Sequence, residues 1–148
     1  MMRYLGLDVG DRHIGIAISD PTGTIARPLE TLDHTSTQGD FAAIASLVDE
    51  HDVGLVVVGR PFSLDGTVGP QARRVDRYTE GLAAHLEVPV VQWDERFSTE
   101  AAHEILLKTR KEPGRRRARA SGEIDAIAAA VILQSYLDSL ADPGSQLR

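Results

Sequence analysis

The chain has 148 residues, 42% hydrophobic and 26% charged, with 16 Lys and Arg against 22 Asp and Glu and no cysteine. That length suits one domain burying about two-thirds of its unfolded surface, and the missing cysteines exclude disulfides, thiolate metal sites and cysteine nucleophiles. A net charge of −6 argues against a general nucleic-acid coat protein. With no stretch near the ~20 apolar residues of a membrane span and no signal-peptide pattern at the N-terminus, the expected setting is the cytoplasm, without a membrane partner.

Residues 3–9 and 14–19 read as a hairpin, with Gly10-Asp11-Arg12-His13 as its turn. Ile25 to Leu32 is a third strand placed towards an edge, because Pro28 cannot donate to a ladder. Gly39-Asp40 opens a helix in which Phe41, Ile44, Ala45, Leu47 and Val48 recur at helical spacing. Leu55 to Val58, between Gly54 and Gly59, has the continuous apolar pattern of a strand covered on both faces. Gly59 to Pro70 is a loop, and Pro70 starts a helix whose apolar stripe is Val75, Leu82 and Leu86. A strand over 88–93 follows, then a helix from Ser98 or Thr99, either of which can cap it. A last helix runs from Glu123 to Leu140, before a frayed tail over 141–148. Three leading strands followed by alternating helices and strands predict an α/β domain over 1–140, a mixed sheet with helices on both faces. In such sheets ligands collect beyond the carboxyl ends of the strands.

Acids stand at those ends. Asp8 closes an apolar strand, Asp94-Glu95 closes another, and Asp125 lies in an Ala- and Ile-rich helical segment. Burying a carboxylate is costly unless a cation or hydrogen bonds compensate. Three carboxylates brought together from distant parts of the chain suggest a site for divalent cations, Mg2+ or Mn2+, which take hard oxygen ligands and keep several waters. Such ions can activate a water against a phosphodiester. Asp8 could instead cap the turn after it, and Asp125 could serve the helix dipole. Neighbours in extended chain point to opposite faces, so one of Asp94 and Glu95 enters the site, and the pattern leaves open which. Arg96, Arg60 and Thr67 are candidates for touching phosphates, although the glycine-containing loop 59–67 lacks the ending of a P-loop. The five histidines show no metal-ligand spacing and read as surface residues, His13 excepted by its closeness to Asp8.

Between 108 and 119 stand Lys108, Arg110, Lys111, Arg115, Arg116, Arg117 and Arg119 against one acid, Glu112. The rest of the chain therefore keeps nine basic residues against twenty-one acids. A basic arm on an acidic body suits a phosphate-backbone contact beside a cation site.

Four blocks in order carry a resemblance over nearly the whole chain: Gly6-Leu7-Asp8-Val9-Gly10 through Ile14 to Asp20, Gly59-Arg60-Pro61 with Asp65-Gly66-Thr67, Asp94-Glu95-Arg96-Phe97-Ser98-Thr99, and Ile124-Asp125-Ala126-Ile127 through Leu137. Together they resemble the YqgF or RuvX family of the RNase H-like superfamily. The resemblance implies an RNase H-like five-stranded sheet and cation ligands at Asp8, Glu95 and Asp125, and so favours Glu95 over Asp94. It implies a nuclease acting on structured nucleic acid, either pre-16S rRNA at its 5′ end or branched DNA at four-way junctions. Resolving a two-fold junction requires a homodimer. His13, Arg60 and Phe97-Ser98 depart from the family's usual residues, and none of them is one of the three acids. Two other classes compete: a sugar-kinase-like ATPase, for which this chain is one lobe short, and a non-catalytic RNA- or ribosome-binding factor.

Overall fold

A computed structural model describes residues 2–61, 69–95 and 123–141. Five strands, β1 (Arg3–Val9), β2 (His13–Ser19), β3 (Ala26–Asp33), β4 (Val53–Arg60) and β5 (Val90–Asp94), form one mixed sheet in the order β3-β2-β1-β4-β5. β1 pairs antiparallel with β2 and parallel with β4, and β5 joins β4 in parallel. Helices α1 (Thr37–Glu50) and α2 (Pro70–His85) cover one face, and α3 (Glu123–Ala141) covers the other. The α/β class, the mixed five-stranded sheet and the helices on both faces are as the strand pattern predicts.

The two faces are chemically different, and the period of two along each strand makes them so. Leu5, Leu7, Ile14, Ile16, Ile18, Val56 and Val58 point to α1 and α2, where they meet Phe41, Ile44, Leu47, Val75 and Leu82. The alternate positions are smaller. Gly6, Gly15, Ala17, Val57 and Gly59 face α3, whose Ala129, Ile132 and Leu133 pack on them. A Cβ at Gly6 would come within 2.7 Å of the Leu133 Cβ, so the missing side chain lets α3 lie close on the sheet.

Several boundaries differ from the sequence expectation. α1 begins at Thr37, because Ser36 is the cap: its hydroxyl accepts from the Gly39 N–H at 3.0 Å. β4 extends to Val53 and Arg60, and β5 starts at Val90, two residues late. β3 is the expected edge strand, shifted to Ala26–Asp33 and irregular beside Pro28, where its register with β2 slips between Ile16 and Ala17. Ile25, outside the strand, is 61% exposed. The expected helix from Ser98 or Thr99, the basic arm and residues 142–148 of the expected tail lie outside the described residues, and α3 runs through Ala141, one residue into that tail. Among the described residues no helix is long and apolar enough to cross a membrane.

Candidate active site

Asp8 stands one residue before the end of β1, on the α3 face, directly opposite Gly15 across the β1–β2 ladder. A Cβ at Gly15 would lie 1.9 Å from the Asp125 carbonyl oxygen and 2.2 Å from its carbon, distances no real side chain can occupy. The first turn of α3 therefore seats its backbone on the bare glycine, and this places Asp125 beside Asp8. Glu95 reaches the same place from the exit of β5. Its Oε1 lies 3.2 Å from where a Gly59 Cβ would be, with the Ile132 methyl of α3 on the other side. Two glycines thus let the start of α3 and the Glu95 side chain approach the end of β1 at which Asp8 stands.

The electrostatics register that meeting. Burial pushes the Asp8 carboxyl up to about 7 from an ordinary 3.8, and the charges of Glu95 and then Asp125 add to the rise. Glu95 is also raised, first by burial and then by the neighbouring Asp94. The turn after Asp8 is closed by a backbone bond from Gly10 N–H to the His13 carbonyl at 2.9 Å, without the Asp8 side chain. Asp8, Glu95 and Asp125 are the residues here that could hold a hard cation. Among the described residues no three acidic or imidazole groups already stand close enough to enclose one.

Alternation along β5 separates the paired acids. Val91 and Trp93 pack on the α3 side, whereas Gln92 reaches Asp76 of α2 at 2.8 Å on the opposite side. Asp94 follows Gln92 to the α2 side, where its charge adds to the rise that the Asp76 hydrogen bonds give Arg60, and Glu95 follows Trp93 to the α3 side. Arg60 itself is held by Asp76 through two parallel bonds, Nε at 2.8 Å and Nη2 at 2.9 Å. That pair, with Gln92, holds Asp76 down at about 2 and ties β4, β5 and α2 together at the end of the sheet where the acids lie. Arg60 as a phosphate contact would have to share this fork.

His13 is not turned to Asp8. It pairs with Asp33 across the β2–β3 ladder at 2.7 Å, between exposed side chains. His34, expected at the surface, is instead three-quarters buried, with Nδ1 2.6 Å from the Asp40 carboxylate and Nε2 2.8 Å from the Gly10 carbonyl. Asp40, 3% exposed, also accepts from the Thr35 N–H and the Tyr78 hydroxyl. This network braces the turn after Asp8 from the α1/α2 side. Its signal in the sequence is weak, because His34 and Gly10 are twenty-four residues apart. Arg96, Thr67 and the arm residues Lys108, Arg110, Lys111, Arg115, Arg116, Arg117 and Arg119 lie outside the described residues.

A mixed sheet in this order, covered by helices on both faces, has the RNase H-like fold, and the chain's relatives are nucleases. The family model described as RuvX, Holliday junction resolvase, matches residues 2–139, and the chain belongs to that family. A protein of Thermoanaerobacter pseudethanolicus is 44% identical over 93% of this chain and 97% of its own length. One of Syntrophus aciditrophicus is 45% identical over 94% and 90% respectively. Both are named as pre-16S rRNA nucleases. Among solved structures, T. thermophilus RuvC in complex with a Holliday junction substrate is similar in fold, with a TM-score of 0.59 and 16% identity over 93% of this chain and 96% of that one.

Proposed function

We propose that the protein is a divalent-metal-dependent endonuclease of structured nucleic acid whose substrate is precursor 16S rRNA, cut at its 5′ end in the cytoplasm. The observation that carries the reading is the packing that draws Asp8, Glu95 and Asp125 to one end of the sheet, with the start of α3 seated on Gly15 opposite Asp8 and the Glu95 carboxylate beside Gly59. Carboxylates crowded in this way repel one another until a proton or a cation intervenes, and their hard oxygens suit Mg2+ or Mn2+. A bound cation would supply the activation of water and the neutralisation of charge on the scissile phosphate. The chain's own part is to fix the acids. Gly15 and Gly59 admit Asp125 and Glu95, and the Arg60–Asp76 pair and the His34–Asp40 network hold the surrounding turns. Arg96 and the basic arm over 108–119 are assigned the grip on the phosphate backbone, and this role makes binding fall steeply with salt.

Pre-rRNA is favoured over branched DNA because the relatives named as pre-16S rRNA nucleases match at 44% and 45% identity, whereas the junction-bound neighbour matches at 16%. Fold likeness at that level carries little about substrate. The test is cleavage of a labelled pre-16S 5′ fragment, unstructured RNA and a four-way DNA junction, each with Mg2+, Mn2+ or EDTA. Cation-dependent cutting of the rRNA precursor ahead of the other two is expected. Preference for the junction, together with a homodimer in solution, would assign the protein to junction resolution.

A further inference from the structure

A cleft of about 230 Å³ opens one residue beyond Asp8, between the β1–β2 turn and α2, and no part of the reaction described above uses it. Its rear wall is fully engaged. His34 spans Gly10 and Asp40, and the Tyr78 hydroxyl donates to the same Asp40. Its mouth is different. Gln71 and Arg74, one turn apart at the start of α2, face Asp11 across it. Among the described residues no hydrogen bond holds the Gln71 amide. Among the described residues Arg74 has only a loose contact, Nη1 to Asp11 Oδ1 at 3.7 Å, between side chains 59% and 78% exposed. Exposed pairs at such a distance contribute little and are readily exchanged.

We propose that this cleft is a phosphodiester subsite, in which Arg74 and Gln71 grip a backbone phosphate of the strand whose neighbouring linkage lies at Asp8. The Asp11 carboxylate holds the guanidinium until that phosphate replaces it. The inference rests on the nuclease reading for the strand's presence and adds to it a second contact. Asp8 faces α3 and the cleft faces α2, but both lie at the same end of β1, so a strand crossing that end meets both. A phosphate suits the site better than Asp11 does, because the Asp11 carboxylate reaches one guanidinium nitrogen at 3.7 Å, whereas a phosphate entering the cleft could take the whole fork and the Gln71 amide together. The braced rear wall keeps the cleft from closing on the donors.

The two sides of the Arg74–Asp11 contact give opposite predictions. Fluorescence anisotropy of a labelled single-stranded RNA with the full-length protein in EDTA reads binding without cutting. Arg74→Ala should raise Kd roughly three- to tenfold at low salt and flatten the slope of log Kd against log salt by about 0.7, the share of one single-strand phosphate. Arg74→Lys should restore part of the affinity. Asp11→Asn should tighten binding several-fold, which loss of a merely structural contact would not do. Thermal melts of all three variants should match the wild type, since both side chains are exposed. An unchanged salt slope in Arg74→Ala, or weaker binding in Asp11→Asn, would overturn the subsite while leaving wild-type cleavage, and with it the nuclease reading, intact. Wild-type protein that binds the strand as described but cuts neither it nor the pre-16S 5′ fragment with Mg2+ or Mn2+ would contradict the nuclease reading and leave the subsite standing.

Discussion

Asp8→Asn is expected to make the cation-free protein more stable at pH 8 while removing its cleavage activity. Burial, with the charges of Glu95 and Asp125, pushes the folded carboxyl up to about 7 from an ordinary 3.8, so between those values the folded state keeps a proton that the unfolded chain has released. Stability contributed by this group therefore falls as pH rises through that window, and above 7 the whole cost of ionising Asp8 beside Glu95 and Asp125 is carried by the fold. Asparagine keeps the shape and removes the charge. The gain at pH 8 should be about 2 kcal/mol, or roughly 5 °C in Tm, shrinking to little at pH 4. Cleavage should fall about a thousandfold or more, because the acids act on the scissile phosphate only through the cation they hold together. Thermal melts in EDTA at both pH values, with a cleavage assay beside them, check both halves. A variant that melts lower than wild type at pH 8 would mean that Asp8 is held by hydrogen bonds and is not under strain from its neighbours.

Gly15→Ala should be the most damaging methyl group that can be added to the sheet. Its Cβ would stand 1.9 Å from a backbone carbonyl oxygen, which has no rotamer with which to retreat. The start of α3 must move, and Asp125 moves with it. Overpacking of this kind costs about 1–3 kcal/mol, and a displacement of about 1 Å at reacting groups can cost on the order of a hundredfold in rate. Gly6→Ala separates the two effects. There the new methyl meets the Leu133 Cβ at 2.7 Å and the Ala129 carbonyl oxygen at 3.1 Å, one to two turns further along α3 and away from Asp125. Urea denaturation should show both variants destabilised, whereas cleavage below the melting range should collapse in Gly15→Ala and stay within about tenfold of wild type in Gly6→Ala. Equal losses of activity would show that α3 moves as a rigid whole and that Gly15 has no special hold on Asp125.

The strands were readable because alternation and unbroken apolar runs are strong signals. Val56 and Val58 turn to α1 and α2, and Leu55 and Val57 to α3, so the run between Gly54 and Gly59 is covered on both sides, as its composition requires. Boundaries moved where several residues could serve one purpose. Thr35, Ser36, Gly39 and Asp40 all suit a helix start, and only the geometry selects Ser36. The acids were conspicuous singly, because a carboxylate among apolar neighbours has few structural uses. Their meeting was not derivable from spacing, since it depends on strand order and on glycines that matter for what they omit. Gly6, Gly15 and Gly59, at strand positions facing an Ala-rich helix, were the available sign that backbone and helix approach closely. The split between Asp94 and Glu95 follows from alternation once Trp93 and Gln92 are placed. The His34–Asp40–Tyr78 network was not legible at all, because it joins a turn, a loop and two helices through side chains unremarkable in sequence.

The most direct measurement is calorimetric titration of Mn2+ into wild-type protein and Asp8→Asn, in buffers of different ionisation enthalpy, at pH 6.5 and pH 8.5. If the three acids hold a cation, wild type binds Mn2+ and releases a proton on binding at pH 6.5, where Asp8 still carries one. That release fades at pH 8.5, and Asp8→Asn binds at least about tenfold more weakly at both. Equal affinity in the two proteins at both pH values would contradict the assignment of Asp8, Glu95 and Asp125 as the metal centre.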